Sequence, residues 1–276
     1  TTTITGGTWN LRDSTYIDSP ADNGNYVDMG KASDIMGSTS SGNTSISLWC
    51  KPQSTAKGYA TSMWRENEAA SSWISISLNA RPSDGAEEAG ALSVVYRETG
   101  SGHAWVGASS QLTVDEWAHI VVVCNTGSGA ELYVNGNSVA TNSDVFAEGP
   151  STDAGSFNFG AMDAAGLHKA DVSGRDIRVY NTALTAAQVD LLYKGQWDGA
   201  PVGWWKFNEG TGAAVTDSGV NEEPDGTIYD ATWVNPEYLI EMAAGGTSFM
   251  IEEDTTLSAP RGNLVLSGTN RRYIYT

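Results

Sequence analysis

Short segments of alternating apolar and polar residues, separated by turn-forming residues, dominate the first half of the chain. Residues 73–79 (WISISLN) alternate strictly, with Ile74, Ile76 and Leu78 on one face and mostly polar side chains on the other. Similar strand-like segments, rich in β-branched and aromatic residues, occupy 45–52, 91–98, 117–125 and 131–141. Many short strands with so little helical periodicity predict two antiparallel sheets packed as a sandwich.

Two local motifs mark the ends of predicted elements. Asn135-Gly136 lies between ELYV and NSVAT, and a type I′ turn needs the positive φ that Asn and Gly tolerate, so we predict a tight hairpin. Thr185 and Gln188 have the spacing of a helix capping box, and Gly195 is a typical helix end. One short helix is therefore expected between Thr185 and Gly195.

The charge balance and the lengths of the apolar stretches argue against a nucleic-acid partner and a membrane span. Fifteen Lys and Arg against 33 Asp and Glu give a net charge of −18. Nucleic-acid affinity comes from clustered Lys and Arg, and the only basic run is Arg271-Arg272, so no nucleic-acid partner is expected. No apolar stretch approaches the roughly 20 residues of a spanning helix, so no membrane span is expected.

The chain has two cysteines, Cys50 and Cys124, each within an apolar strand-like run. Two cysteines in a chain of this length do not form a disulfide framework. Two buried free thiols are the first interpretation. A single bridge between strands is the alternative, and it requires Cα atoms within about 7 Å of each other.

Five segments carry a family resemblance: NYVDMG (25–30), SISLWCKP (45–52), WAHIVVV (117–123), ELYVNG (131–136) and GRDIRVYNTALTAAQVDLLYKG (174–195). Together they resemble the laminin-G-like, concanavalin A-like jelly roll of many secreted and virion-surface proteins. The last segment is the most specific, because a strand ending in RVYN-x-AL-T before a short amphipathic helix is a hallmark of that family. The resemblance implies an all-β, concanavalin A-like antiparallel β-sandwich (jelly roll) with one short helix and a β-rich C-terminal extension.

The order of segments departs from the family. Relatives usually begin with a strand such as GWWKFNE, which here stands at 203–209, and TTTITGGTW (1–9) resembles DGTIYDATW (225–233). Three parts are therefore expected: a jelly-roll domain over 1–200, extra strands over 201–236 that complete this or a neighbouring jelly roll, and a β-rich docking segment over 237–276. Completion within the chain is the first interpretation. Strand exchange with a neighbouring subunit and a truncated second repeat are the alternatives.

Catalytic motifs are incomplete in this sequence. Related glycosidases carry carboxylates in the pattern Glu-x-Asp-x-x-Glu, which holds an acid and a base on one face of a strand. The stretches 223–225 and 252–254 begin that pattern, but Ile228 and Leu257 occupy its last position. The three histidines are too scattered for a zinc site and are interpreted as structural or surface residues: His103, His119 and His168. We predict a chain that is not an enzyme.

The family resemblance suggests a calcium site. Relatives often have an acidic or amide residue directly before the Tyr-Val strand and an aspartate at the start of the RVYN strand, and Asn25 and Asp176 occupy these positions. Asp22 stands one residue away from the family's loop aspartate, and Asp28 is a reserve ligand. Calcium binds six to eight oxygens, which such a loop can supply. Asx turns with solvated carboxylates are the alternative.

Tryptophans suggest a carbohydrate site. Lectin-type recognition uses exposed aromatic faces with a few polar groups. Trp64, Trp73 and Trp105 lie where the strand face or the adjacent loop is otherwise polar, so they are candidate carbohydrate-binding residues; half-buried rim positions are the alternative. Trp49 and Trp117 are expected in the core, which is the usual place for a large apolar side chain.

The resemblance implies a non-enzymatic structural or adhesive surface protein, located on a virion or in the extracellular space. A phage decoration, fibre or tail-associated component fits it best, with neighbouring subunits of the assembly as partners and a glycan as a further partner. A carbohydrate-binding module of a secreted polysaccharide-active protein is the main alternative, and a divergent glycosidase is the third. The fold hosts all of these functions, so the fold alone does not decide among them.

Overall fold

A computed structural model of the chain describes residues 16–19, 25–36, 43–64, 72–83, 85–97, 103–145, 156–162, 168–197, 199–221, 225–234, 238–241 and 264–267. Strands dominate these stretches, and nearly all of them belong to two antiparallel sheets. The sheets pack face to face around one apolar core, as the alternating segments predict.

The first sheet contains eight strands. They are β1 (Tyr16–Ser19), β3 (Thr44–Pro52), β8 (Ala118–Asn125), β9 (Gly129–Val134), β10 (Asn137–Asn142), β12 (Val172–Tyr180), β13 (Gly203–Trp205) and β16 (Thr232–Val234). Their order is β10-β9-β8-β3-β12-β1-β16, and β13 pairs with β12. The hairpin between β9 and β10 turns at Asn135 (φ 50°) and Gly136 (φ 79°), which confirms the predicted turn.

The second sheet also contains eight strands. They are β2 (Tyr26–Lys31), β4 (Gly58–Trp64), β5 (Ser72–Ala80), β6 (Glu87–Arg97), β7 (His103–Ala108), β11 (Ser156–Phe159), β14 (Ala214–Val215) and β15 (Gly226–Tyr229). Their order is β14-β15-β2-β11-β4-β5-β6-β7. In β5, Ile74, Ile76 and Leu78 are all buried in the core, as the strict alternation of that segment predicts.

The described part of the chain contains two helices, one more than predicted. The predicted helix is α2 (Ala186–Tyr193), with a complete capping box in which Thr185 Oγ1 accepts from Gln188 N and Gln188 Oε1 accepts from Thr185 N. The additional helix is α1 (Ala32–Met36), a five-residue element directly after β2. Its apolar side chains are buried in the core, so tertiary burial stabilises a segment too short to show helical periodicity.

A third, small sheet lies near the end of the chain. It pairs β17 (Tyr238–Glu241) in parallel with β18 (Leu264–Ser267). The strand expected in NLVLSG is therefore present as β18. The strands expected in 247–253 and 273–276 lie outside the described residues.

The cysteines are buried free thiols. Strands β3 and β8 are neighbours, and in their register Cys124 pairs with Thr44 whereas Cys50 pairs with Ala118. Cys50 lies six residue steps along β3 from Thr44, which places the two thiols roughly 20 Å apart along the sheet, so a bridge between them is excluded. Burial raises the pKa of Cys50 to about 12, and burial likewise raises the pKa of Cys124.

Segment 203–234 supplies four strands to the two sheets of this same chain. Strand β13 pairs with β12, β15 pairs with β2, and β16 pairs with β1. Trp205 and Phe207 are fully buried in the core. The ring of Phe207 packs edge-on against that of Phe159, with 5.5 Å between the ring centroids. A Cβ on Gly174 of β12 would clash with the Phe159 ring, so the absence of a side chain there makes room for this aromatic pair.

Candidate binding site on the outer face of the first sheet

Strand alternation decides which side chains reach the outer face of the first sheet. In β3, Ile46 and Leu48 are buried in the core, so the residues between and after them face away from it. Trp49 and Lys51 are therefore outward and half-buried. Trp117, which directly precedes β8, is half-buried as well. The expectation that Trp49 and Trp117 belong to the core is wrong, because alternation outweighs the general preference of tryptophan for burial.

A β-bulge in β12 brings two arginines to this face. Arg175 pairs with Trp49 and Arg178 pairs with Ser47, so three steps along β12 oppose two steps along β3. In a regular strand, side chains three residues apart point to opposite faces. The extra residue of the bulge changes this, so that Arg175 and Arg178 point to the same face. The extra residue is Asp176, whose φ of 52° is the left-handed conformation that Asp tolerates better than most residues.

Aromatic rings and cations alternate across the outer face. Lys51 Nζ lies 4.8 Å from the ring centroid of Tyr16 and 5.4 Å from that of Trp117. Arg175 Cζ lies 4.3 Å from the Trp117 centroid and 5.4 Å from the Trp49 centroid. These are cation–π distances. We call these five side chains the aromatic row.

Helix α2 covers the neighbouring part of the same face. It packs on β8 and β9 through a second apolar cluster: Val121, Val123, Tyr133, Tyr180, Leu184, Val189 and Leu192. Ser45 anchors the segment that leads into the helix, because its Oγ accepts from Leu184 N and donates to Thr182 O. The sheet thus holds α2 at a fixed position beside the aromatic row.

The end of α2 brings a further ring to the row. The N–H of Gly195 (φ 65°) donates to Leu192 O and that of Gln196 donates to Leu191 O, which is a Schellman termination. Tyr193, in the last turn of the helix, has a side chain 37% exposed and a ring centroid 5.9 Å from that of Trp49. The helix ends here, and Tyr193 continues the line of rings.

Asp176 organises the other side of the site. Its Oδ1 accepts from Trp204 Nε1 at 2.6 Å and from Arg178 Nε at 2.8 Å, and its Oδ2 accepts from Arg178 Nη2 at 2.9 Å. Arg178 and Lys206 lie 4.4 and 4.3 Å from the centroid of Trp204. Burial disfavours the charge of Arg178, but the bonds and charge of Asp176 outweigh it and raise the pKa of Arg178. The arginine is therefore a permanent cation.

These groups surround a cavity of about 470 Å³ that opens to solvent. Trp49, Arg175 and Tyr193 line it, together with Trp204 and Asn208 from the segment that follows α2. The volume is within the range of about 300–1,000 Å³ that is typical of small-molecule sites. Flat rings, cations and an exposed amide lie together in it, a combination suited to a polar ligand with rigid apolar faces.

His119 supports this site from below. It is 2% exposed, its Nε2 lies 3.0 Å from Ser47 Oγ, and its ring centroid is 5.0 Å from that of Trp49 and 5.9 Å from that of Tyr193. Burial lowers the pKa of His119 to about 4, so the ring is neutral at neutral pH. It acts as packing beneath the rings, in agreement with its interpretation as a structural residue.

A family model described as the concanavalin A-like lectin/glucanases superfamily matches residues 21–190, which is more than half of the chain. The chain belongs to this superfamily. The family region contains β2, β3, β8, β9, β12 and most of α2, whereas Trp204, Lys206 and Asn208 of the cavity lie beyond it. No curated protein matches the chain in sequence.

Solved structures share the superfamily's fold with this chain. A candidate carbohydrate-binding protein from Bacteroides ovatus is 15% identical with a TM-score of 0.56, over 80% of this chain and 60% of that one. A heptameric SAP-like pentraxin from Limulus polyphemus is 17% identical with a TM-score of 0.49, over 65% and 82%. The receptor-binding domain of botulinum neurotoxin D is 14% identical with a TM-score of 0.49, over 70% and 46%. At 15% identity the similarity to the Bacteroides protein shows the fold alone, and the chain spans only part of the Bacteroides and toxin proteins.

The predicted carbohydrate-binding tryptophans all lie on the second sheet. Trp105 is half-buried on β7 opposite Val95 of β6, and its ring covers Gly85. The backbones of Trp64 and Trp73 belong to β4 and β5, but their side chains lie outside the described residues. The structure therefore places these residues away from the cavity, and their role stays a prediction.

The predicted calcium ligands do not all converge. Asp28 faces outward on β2 of the second sheet, where its Oδ1 accepts from Gly30 N, whereas Asp176 lies on the outer face of the first sheet. The thickness of the sandwich separates these two carboxylates, so they cannot bind the same ion. Asn25 is buried directly before β2, and Asp22 lies outside the described residues. A calcium site that combines Asp22 and Asn25 with Asp176 stays a prediction, as does one that uses the reserve ligand Asp28 in place of Asp176.

The described residues contain neither a metal-binding cluster nor a membrane-spanning helix. No group of three or more His, Cys, Asp or Glu side chains gathers as a metal site would require. Within the same stretches, no helix has the length and apolar character needed to cross a membrane. His168 is exposed, as predicted for a turn, and the side chain of His103 lies outside the described residues.

Sequence reasoning missed most of the cavity. The alternation in SISLWCKP, applied to its end, would have shown that Trp49 and Lys51 face outward. The convergence of Arg175 and Arg178 depends on the bulge, and neither Asp176 nor its neighbours signal a bulge. From the sequence alone, Trp204 is predicted only as part of a strand that completes the sheet.

Proposed function

We propose that this chain is a non-enzymatic carbohydrate-binding module that binds a saccharide in the cavity beside the aromatic row. The observation that carries the proposal is the line of partly exposed rings, Trp49 and Tyr193, at the edge of a cavity that also presents cations and an amide. The carbohydrate-binding description of the Bacteroides ovatus relative supports the same class of ligand.

Saccharides match the chemistry of this cavity. A pyranose ring has apolar C–H faces, which pack on aromatic rings, and hydroxyl groups around its edge, which need hydrogen-bond partners. Trp49 and Tyr193 provide ring faces, while Asn208 and the cations provide donors. The Asp176 carboxylate already accepts three hydrogen bonds from Arg178 and Trp204, which suits it to holding the site in shape rather than to acid–base catalysis.

A glycan array followed by titration of the best ligand tests the proposal. Trp49→Ala and Tyr193→Ala remove the ring faces and should each weaken binding about fivefold or more, because a lost stacking contact costs about 1 kcal/mol or more. Tyr229→Ala is the matched control. It removes another exposed aromatic side chain, which stacks on Tyr26 in the second sheet, and should leave binding unchanged.

Trp105→Ala separates the cavity from the site predicted on the second sheet. Unchanged binding in Trp105→Ala with loss in Trp49→Ala supports the cavity. The reverse result would place the site at Trp105 and contradict the proposal. Binding in the presence of a chelator tests calcium: no change in affinity or in melting temperature would argue against calcium at Asp22 and Asn25.

We further propose a setting on an extracellular or virion surface, where such a module attaches an assembly to a glycan. The superfamily resemblance supports this setting, and an acidic chain is compatible with exposure to solvent. Copurification with virus particles or filaments tests it. A protein found with a secreted hydrolase instead would favour the alternative, a binding module of a polysaccharide-active protein.

A further inference from the structure

Positive charge is concentrated on one face of a strongly acidic protein. The chain carries 15 Lys and Arg against 33 Asp and Glu. Five of those 15 cations lie on the aromatic row or the cavity: Lys51, Arg175, Arg178, Lys194 and Lys206. A third of the basic residues thus occupies a single site, where the field is opposite in sign to the net charge of the molecule.

Carboxylates offset only part of this charge. Among the described residues that line the cavity, Asp176 is the only acid against four cations, and it forms an ion pair with Arg178. Asp190, outside the lining, pairs with Lys194 at 2.6 Å in an exposed helix-turn contact, which screening makes weak. Within the described stretches, no carboxylate lies within ion-pair distance of Lys206.

The cations are also held in position. The Arg175 guanidinium lies between Trp117 and Trp49, and the Lys206 ammonium lies 4.3 Å from the centre of Trp204. Rings that restrain these flexible side chains before a ligand arrives reduce the entropy lost on binding. Oriented cations at a polar cavity are suited to carboxylate and sulfate groups, which an arginine binds through paired N–H donors.

We infer that the ligand is an anionic saccharide, one with carboxylate or sulfate groups, whose negative charge is bound by Arg175 and Lys206. This inference rests on the proposed function, since it names the class of saccharide that the same cavity takes. Sugar rings pack on Trp49 and Tyr193, and the acidic substituent reaches Arg175 and Lys206, two of the four cations that line the cavity.

A glycan array of matched pairs tests the inference on the full-length protein. Each acidic saccharide is printed beside its neutral counterpart: oligogalacturonate with its methyl ester, sulfated with desulfated galactan, and sialylated with desialylated glycans. We expect binding by acidic members only, and an affinity that falls at least tenfold between 0.05 and 0.5 M salt, because added ions screen charge pairs.

Single substitutions locate the charge. Arg175→Gln and Lys206→Gln should each weaken binding of the best acidic ligand about tenfold, the effect of losing one charge-assisted hydrogen bond. Lys31→Gln is the matched control, because it removes the same charge from an exposed position on the second sheet. Melting temperatures of all variants show whether a loss of binding reflects loss of the fold, and the salt dependence of the parent protein needs no variant at all.

The outcomes are distinct. Equal binding of acidic and neutral members would leave the carbohydrate-binding function standing and overturn the anionic preference. No binding across the array would contradict both. Equally tight binding of polyglutamate, a polyanion without sugar rings, would show a general anion surface and overturn the saccharide assignment. Loss of binding in Lys31→Gln equal to that in Lys206→Gln would also overturn it, since charge alone would then be responsible.

Discussion

At the scale of single residues, His119 is the most constrained group of the candidate site. It is almost completely buried, Ser47 bonds its Nε2, and Trp49 and Tyr193 lie against its ring. Burial penalises the imidazolium form and lowers the pKa of His119 to about 4, against about 6.5 for an unfolded chain. A group that supports the binding rings is therefore coupled to pH through the stability of the fold.

We predict that His119 makes the protein less stable as the pH falls from about 6.5 to 4. In that window the unfolded chain binds a proton at this histidine and the folded protein does not, so acid favours unfolding by on the order of 3 kcal/mol. Urea titrations at pH 7, 5.5 and 4 measure the free energy of unfolding. The difference in free energy of unfolding between the parent and His119→Gln should shrink by this amount as the pH falls. The free energy of unfolding of His168→Gln, which changes an exposed side chain, should vary with pH as that of the parent does. A gap independent of pH would contradict the prediction.

At the scale of elements, α2 and its two ends form the border of the candidate site. The capping box at Thr185 begins the helix, the apolar cluster with β8 and β9 holds it, and the Schellman turn at Gly195 ends it beside the cavity. The bulge in β12 has a comparable effect, because one extra residue turns Arg178 to the same face as Arg175. Local backbone geometry thus decides which side chains meet.

We predict that Gly195→Ala destabilises the protein by about 1 kcal/mol, because Ala is strained at a φ of 65°. A Cβ at this position has nothing within 4 Å, so the cost comes from the backbone alone. Gly195→Asn, which tolerates the left-handed region, should lose less than Gly195→Ala. Denaturant unfolding of the parent, Gly195→Ala and Gly195→Asn measures the order of their free energies of unfolding. Equal losses for Ala and Asn would show that the conformation of residue 195 is not the cause.

At the scale of the whole molecule, the sandwich depends on strands that come from beyond the family region. Segment 203–234 supplies Trp205, Phe207 and Val215 to the core and pairs with strands in both sheets. It also supplies Trp204, Lys206 and Asn208 to the cavity. The apolar core and the candidate site therefore share the same segment.

We predict that a chain ending at residue 200 does not fold cooperatively. Loss of a buried Trp or Phe costs about 3–5 kcal/mol each, and the removal of Trp205 and Phe207 together is comparable to the 5–15 kcal/mol stability of a typical domain. Thermal unfolding followed by near-UV circular dichroism, with sedimentation to report oligomers, measures the result. A monomer that melts at the temperature of the full chain would show that these strands are not needed.

The sequence by itself determines the local features of this protein. Alternation in 73–79, the Asn135-Gly136 turn and the Thr185 capping box each depend on neighbouring residues, and the motif at 174–195 points to the family. The tertiary structure alone decides the site. Periodicity shows that a side chain leaves the core, but it does not show which strands are neighbours, where a bulge shifts the register, or that residues 175 and 206 line the same cavity. The cavity depends on contacts between residues far apart in the chain, and only the packing of both sheets specifies those contacts.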